Sequence, residues 1–140
     1  MKIVDLNVLI YATDTESKHH NSARSWFDTA MASSSTIGLP TAVTVGFVRL
    51  ATNPRVMLRP LNPNRAIDIV ESWISRSSVS VPQPTARHYT VLRELLDATG
   101  VGGNLVSDAH LAALAIEHGA ELCTYDSDFT RFPGVVSFRP

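Results

Sequence analysis

The sequence is poor in several features, and each shortage excludes a class of protein. Cys123 is the single cysteine, so no disulfide can form within the chain, and no Cys/His spacing typical of a zinc site is present. No apolar run approaches the roughly 20 residues needed to cross a bilayer, and the N-terminus has no signal-peptide pattern. We therefore expect a soluble cytoplasmic protein that does not associate with a membrane.

Positive charge is also scarce. The net charge of −1 argues against nucleic-acid binding through bulk electrostatics alone, and only Lys2 and Lys18 of the 12 basic residues are lysines. Three arginines lie close together, at Arg49, Arg55 and Arg59. Guanidinium groups fit phosphate well, which makes this stretch a candidate surface for a phosphate backbone. An ordinary solvated face explains the same arginines equally well.

The pattern of apolar residues indicates one domain in which strands and helices alternate. A chain of 140 residues, of which 44% are hydrophobic, is large enough to form a proper core. Short apolar segments predict strands at residues 1–4, 36–39, 79–81, 122–125 and 135–138. Helical spacing predicts helices at 6–11, 20–31, 40–52, 64–75, 85–98 and 107–118. We expect an α/β fold over residues 1–140, with a parallel sheet of about four or five strands and helices on both faces.

Acidic residues recur at the ends of predicted strands. Asp5 lies between an apolar strand and an apolar helix, where a buried and unpaired carboxylate would be costly. Asp108 occupies a comparable place before an Ala-rich helix, and Asp126 and Asp128 follow the strand at 122–125. In open α/β sheets, ligands bind outside the carboxyl ends of the strands. The acids therefore predict one shared metal-binding pocket.

Each acid also has an explanation that needs no site. Asp5 suits the cap of the following helix, and Asp108 suits the positive end of its own helix. The segment from Asp126 to Asp128 is typical of a turn. A shared pocket is favoured because all three places fall at the same kind of strand end.

Histidines and glutamates on the predicted helices add no clear site. His88 and His110 do not have the spacing of a ligand pair, and the sequence does not decide whether Glu94 or Glu117 reaches a pocket. The segment from Gly100 to Gly103 lacks the Lys-Ser/Thr ending of a phosphate-binding loop, so nucleotide binding is not expected.

Three segments resemble the motifs of PIN-domain ribonucleases. They are IVDLNVLI at residues 3–10, NLVSDAHLAALA at 104–115 and TYDSDF at 124–129. Within that superfamily the chain resembles a VapC-type toxin of a bacterial type II toxin–antitoxin pair. The segments FVRLATNPR at 47–55 and FTRFPG at 129–134 resemble a sub-group common in mycobacteria. The resemblance implies a single PIN domain, a metal-dependent endoribonuclease that cleaves RNA, a cognate antitoxin that inhibits it, and a homodimer.

The resemblance also implies the residues of the site. Asp5, Asp108, Asp126 and Asp128 are the expected catalytic acids. Asp5 and Asp108 are the expected direct ligands of Mg²⁺, with Mn²⁺ as a substitute, because Mg²⁺ typically takes one or two protein carboxylates and keeps several waters.

Neighbouring residues are expected to support these acids and the RNA. Asn7 and Asn104 are candidates to hold the carboxylates or to contact phosphate, although helix capping is the favoured role for Asn7. Arg49 and Arg55 are expected to bind the RNA backbone.

One position departs from the family pattern and keeps two alternatives open. Gly46 stands where many members of the family carry a glutamate, and no acid lies between Asp28 and Asp68. The chain is therefore either an active nuclease or a weakened PIN domain that binds RNA or protein. Another Mg²⁺-dependent α/β phosphotransfer protein is a third possibility, but a phospho-receiver needs a late lysine and none follows Lys18.

Overall fold

The computed structural model describes all 140 residues and contains five short strands and six α-helices. The strands are β1 (Lys2–Val4), β2 (Ile37–Gly38), β3 (Val79–Ser80), β4 (Glu121–Cys123) and β5 (Ser137–Phe138). The helices are α1 (Leu6–Thr13), α2 (His20–Ala32), α3 (Thr41–Ala51), α4 (Pro63–Ile74), α5 (His88–Thr99) and α6 (Leu105–Glu117). A short 3₁₀ helix, Ser127–Arg131, connects β4 to β5. The predicted α/β fold is confirmed.

All five strands run parallel, in the order β3-β2-β1-β4-β5. The chain moves outward from β1 to β3 and then crosses back to β4, on the other side of β1. Because crossovers between parallel strands are right-handed, α1 to α4 cover one face of the sheet and α5 and α6 cover the other. The strand order reverses between β1 and β4, which opens a crevice at the carboxyl ends of these two strands.

Most element boundaries differ from the prediction by one or two residues, and the start of α5 differs by three. The helix α5 begins at His88 instead of Thr85, and Thr85 lies before it, where its backbone N–H and hydroxyl donate to the carboxylate of Glu117. The strand β4 ends at Cys123 instead of Tyr125.

Aromatic and small apolar side chains form the core on the two faces of the sheet. Phe47 of α3 has no exposed surface, and its ring centroid lies 4.9 Å from that of Trp73 on α4. Phe27 of α2 packs against the same indole at 5.4 Å. Cys123 is a fully buried core residue, and its burial raises the pKa of its thiol. None of the helices is long and apolar enough to cross a membrane.

Candidate active site

Asp5 lies at the carboxyl end of β1 and caps the helix that follows. Its backbone is extended, with φ −77° and ψ 155°, and its Oδ1 accepts the backbone N–H of Leu6 at 2.6 Å. The other oxygen, Oδ2, accepts hydrogen bonds from Asn7 Nδ2 at 2.7 Å and from the hydroxyl of Thr124 at 2.6 Å. Capping and a place in the site are therefore compatible roles of one carboxylate.

Asn7 and Thr124 connect the ends of β1 and β4 through side-chain hydrogen bonds. Asn7 Nδ2 also donates to Thr124 Oγ1 at 3.2 Å, and Asn7 Oδ1 accepts the backbone N–H of Tyr125 at 3.2 Å. The Thr124 hydroxyl in turn accepts the backbone N–H of Asp126 at 2.9 Å. Helix capping was the wrong expectation for Asn7, because Asp5 takes that role and frees Asn7 to hold the carboxylate.

The four predicted acids lie close enough to influence one another's ionisation. Burial raises the pKa of the Asp5 carboxyl, and the charges of Asp108 and Asp126 raise it further against the hydrogen bond from Thr124. Asp108 lies in the first turn of α6, where burial and the charges of Asp126 and Asp128 raise its pKa as well. The crevice at the ends of β1 and β4 is therefore an acidic pocket.

The acids that follow β4 are held by local contacts. Asp126 Oδ1 accepts the backbone N–H of Asp128 at 2.8 Å and so caps the 3₁₀ helix. Asp128 forms an exposed ion pair with Arg131, with 3.4 Å between Oδ1 and the guanidinium. Arg131 also opposes the rise in the pKa of Asp108, so a cation stands at the rim of the acidic pocket.

The donor set fits Mg²⁺ without forming a closed cage. No three side chains of His, Cys, Asp or Glu converge tightly enough to enclose an ion. Mg²⁺ needs only one or two carboxylates, because water completes its coordination. Burial is the main cause of the raised pKa values of Asp5 and Asp108, and repulsion from neighbouring carboxylates raises them further. A bound cation would favour the ionised form of both groups.

The other predicted residues are not all brought to the pocket. Arg49 of α3 lines a groove that also contains Asp5 and Asp108. Arg55 is exposed and does not line that groove. Asn104 precedes α6 with an exposed side chain that makes no hydrogen bond to the protein.

The groove, of about 510 Å³, is open and runs from the acidic pocket between α3 and the pair α5 and α6. Its apolar wall includes Leu6, Val43, Leu92 and Leu111. A Cβ atom added at Gly46 would lie 2.9 Å from Cδ2 of Leu6, so the absence of a side chain at Gly46 lets Leu6 lie against α3.

The sequence alone does not reveal the roles of Thr124 and Arg131. Thr124 lies in the motif TYDSDF, whose acids are the residues expected to act. The available signal was a hydroxyl residue directly after the apolar strand and before Tyr125-Asp126. For Arg131 the available signal is its spacing from Asp128, which matches a pair on one helical turn.

Comparison with known proteins shows the family of the chain. The family pattern described as "PIN domain" matches residues 2–135. The chain is 47% identical over 135 residues to "Ribonuclease VapC37" of Mycobacterium tuberculosis, which covers 96% of this chain and 94% of that protein. The chain belongs to the PIN-domain family, as a VapC ribonuclease.

Solved structures show the same fold for this VapC ribonuclease. Mycobacterium tuberculosis VapC20, described as a "Sarcin-Ricin loop cleaving toxin", superposes with a TM-score of 0.73 at 18% identity and covers 100% of both chains. "VapBC2 from Rickettsia felis bound to a DNA fragment from their promoter" gives a TM-score of 0.71 at 20% identity, covering 99% of this chain and 97% of that one.

Proposed function

We propose that this VapC ribonuclease is a Mg²⁺-dependent endoribonuclease and the toxin of a toxin–antitoxin pair. The observation that carries the proposal is the oriented carboxylate of Asp5. Three donors hold it at the switch point of the sheet, and Asp108 and Asp126 lie close enough to raise its pKa. A cluster of carboxylates that repel one another is costly to maintain unless a cation binds it.

The residues divide the work as follows. Asp5 and Asp108 would hold the ion, and Mn²⁺ would substitute for Mg²⁺. When bound, the ion supplies charge to polarise the scissile phosphodiester and to acidify a water. Asn7 and Thr124 hold Oδ2 of Asp5 in place through their hydrogen bonds. Asp126 would contact the ion through a water molecule.

Cations at the rim retain the RNA. An acidic pocket repels a polyanion, so the substrate needs compensating positive charge close by. Arg49 lines the groove without an ion pair, and its guanidinium suits phosphate. Arg131 lies beside Asp128. Arg55 is a more distant contact for the RNA backbone.

A cognate antitoxin and a homodimer complete the proposed assembly. A second groove, of about 560 Å³, lies between α2 and α4, with Phe27, Ile69 and Trp73 among its apolar residues. Arg65 and Arg76 line it and make no ion pair. Such a surface fits an amphipathic antitoxin segment that carries acidic side chains. Charge reversal at both arginines should abolish antitoxin binding and leave RNA cleavage intact.

A weakened or inactive PIN domain is the second candidate, and Gly46 is the observation that favours it. With Leu6 packed against Gly46, the groove offers no carboxylate from α3. Such a protein would bind RNA or a partner without cutting efficiently.

One experiment separates the two candidates. Purified protein without antitoxin is incubated with total RNA, with and without Mg²⁺ or Mn²⁺, and the cleavage ends are mapped. We expect discrete ends that depend on the metal and disappear in Asp5→Asn and Asp108→Asn. RNA that is bound but remains intact would support the inactive domain, and cleavage retained by either mutant would refute the assigned acids.

A further inference from the structure

A chain of three buried or half-buried side chains reaches from α6 and α5 into the groove. Glu117 Oε2 lies 2.6 Å from His88 Nδ1, and His88 Nε2 lies 2.9 Å from His110 Nδ1. The side chains of Glu117 and His88 are only 1% and 4% exposed. His110 lines the groove, and its Nε2 has no partner in the protein and is not sealed from solvent.

The direction of the hydrogen bonds follows from the carboxylate. Burial alone would raise the pKa of Glu117, but hydrogen bonds from His88 and Thr85 outweigh burial and lower it. An ionised carboxylate only accepts, so His88 carries a proton on Nδ1, and a neutral His88 leaves Nε2 bare. With both imidazoles neutral, His110 donates from Nδ1, and its own Nε2 is a bare acceptor that faces the groove.

We infer that this groove is a nucleotide subsite, in which His110 Nε2 accepts a hydrogen bond from the nucleotide next to the cleaved bond, and that Glu117 and His88 are positioning residues that keep it an acceptor. The inference rests on the proposed nuclease function. The donor is either a ribose 2′-hydroxyl or a group on a base edge, since both present hydrogen to a bare ring nitrogen.

The surroundings of His110 suit a nucleotide. The groove is continuous with the pocket that contains Asp108, so a neighbouring nucleotide enters it when a phosphate lies at the acids. Apolar side chains such as Leu92 and Leu111 offer a surface for a base or sugar. Tyr89, 79% exposed at the groove, offers a ring for stacking, and Arg49 offers charge for the connecting phosphate.

The competing explanation is purely structural: the two histidines would serve only to join α5 to α6. A structural joint needs the bonds among Glu117, His88 and His110, but it makes no use of the direction in which they run. The direction in which these hydrogen bonds run is therefore the property to perturb.

Glu117→Gln reverses that direction. The backbone N–H and hydroxyl of Thr85 both donate to Oε1, so the amide oxygen of a glutamine takes that place and its NH₂ faces His88. His88 then accepts at Nδ1 and donates from Nε2, and His110 becomes a donor at its groove nitrogen. In ¹⁵N spectra the His110 Nε2 signal should change from the unprotonated to the protonated type. His118→Gln is the matched control, because His118 is bonded to the backbone of Gln83.

RNA binding reports the consequence. Fluorescence anisotropy is measured with labelled oligoadenylate RNA, checked to be intact, with Ca²⁺ in place of Mg²⁺. His110→Ala should weaken binding about three- to ten-fold, the equivalent of one hydrogen bond, and Glu117→Gln at least as much. His118→Gln should bind like the wild type.

Two further probes identify the donor. Oligodeoxyadenylate lacks the 2′-hydroxyl, and RNA of purine riboside lacks the amino group of adenine. The wild type should lose affinity for one of them, and His110→Ala should not distinguish that probe from oligoadenylate.

Several results would overturn the inference. One is a protonated Nε2 on His110 of the wild-type protein. Another is an RNA affinity equal to that of the wild type in folded His110→Ala, or in Glu117→Gln that shows the reversed ¹⁵N signal. The last is equal binding of all three oligonucleotides by the wild-type protein. If Glu117→Gln does not fold, His110→Ala and the oligonucleotide probes still decide. Failure of the nuclease proposal is distinct, because it appears as intact total RNA in Mg²⁺ whatever residue occupies position 110.

Discussion

Replacing Thr124 by valine tests whether the bonds between β1 and β4 build the site. The two side chains have nearly the same shape, so no cavity forms, but the donor to Asp5 Oδ2 and the acceptor for Asp126 N–H are lost. Thr124 is 4% exposed, so water does not easily replace the hydroxyl. A hydrogen bond to a charged group contributes about 1.5–3 kcal/mol. We expect the free energy of unfolding to fall by about 2–3 kcal/mol, or the Tm by roughly 7–10 °C for a domain of this size.

The dependence of this loss on pH follows from the Asp5 carboxyl. The hydroxyl of Thr124 lowers the pKa of Asp5 against the effect of burial, so its removal raises that pKa further. A carboxyl with a raised pKa destabilises the folded protein as pH increases through its titration. The deficit of Thr124→Val should therefore be largest at neutral pH and should shrink as pH falls toward 3.8, the ordinary value of an aspartate.

Metal-free protein is the material to measure, by urea and thermal unfolding across a pH series. Thr124→Ser restores the hydroxyl and is the matched control, with near wild-type stability and cleavage. Thr124→Val should also cut RNA more slowly, because Asp5 loses its orientation. A folded Thr124→Val protein with wild-type stability and an unchanged pH profile would show that the hydroxyl does not hold Asp5.

Four further predictions concern the pocket and its rim. Asp108→Asn should raise the Tm of the metal-free protein at neutral pH and flatten its fall with rising pH, because burial and neighbouring acids raise the pKa of Asp108; a lower Tm would count against carboxylate repulsion. Millimolar Mg²⁺ should raise the wild-type Tm, because binding adds about 2.7 kcal/mol to the free energy of unfolding at a Mg²⁺ concentration of a hundred times Kd. The Tm of Asp108→Asn should not rise. Gly46→Glu should cost about 1 kcal/mol, because Leu6 must rotate away from the new Cβ, yet calorimetry should show tighter Mg²⁺ binding. Arg49→Ala should weaken RNA binding and lower the slope of log affinity against log salt concentration by about one, the equivalent of one phosphate contact. Arg55→Ala should have a smaller effect on both. Equal effects of the two variants would mean that the RNA does not follow the groove.

The sequence predicts the fold well because its signals are local. The β-branched run before Asp5 and the helical spacing after it correctly indicate the first strand and helix, and Gly119, at φ 58°, ends α6 as a C-terminal glycine does. The grouping of Asp5, Asp108 and Asp126 was expected from a general property of parallel sheets, namely that strand ends share one edge.

Contacts between distant segments could not be predicted in the same way. Thr124 lies 119 residues from the carboxylate to which it donates, and His88 lies 22 residues from His110. No periodicity encodes such pairs, because each depends on how α5 and α6 pack and on the register of β4 beside β1. Arg55 shows the opposite case, since nearness to Arg49 in sequence does not place it at the groove.

The parallel direction of the strands has a practical consequence for fusion proteins. The strand β1 starts at the edge of the sheet opposite the acids, whereas β5 runs toward the acidic edge. Residues after Phe138 therefore leave the sheet on the active side, where Arg139 lies 4.9 Å from the ring of Tyr125. A purification tag joined after Pro140 would start beside the RNA path and compete with substrate, whereas the same tag joined before Met1 would start at the far edge and leave the crevice open.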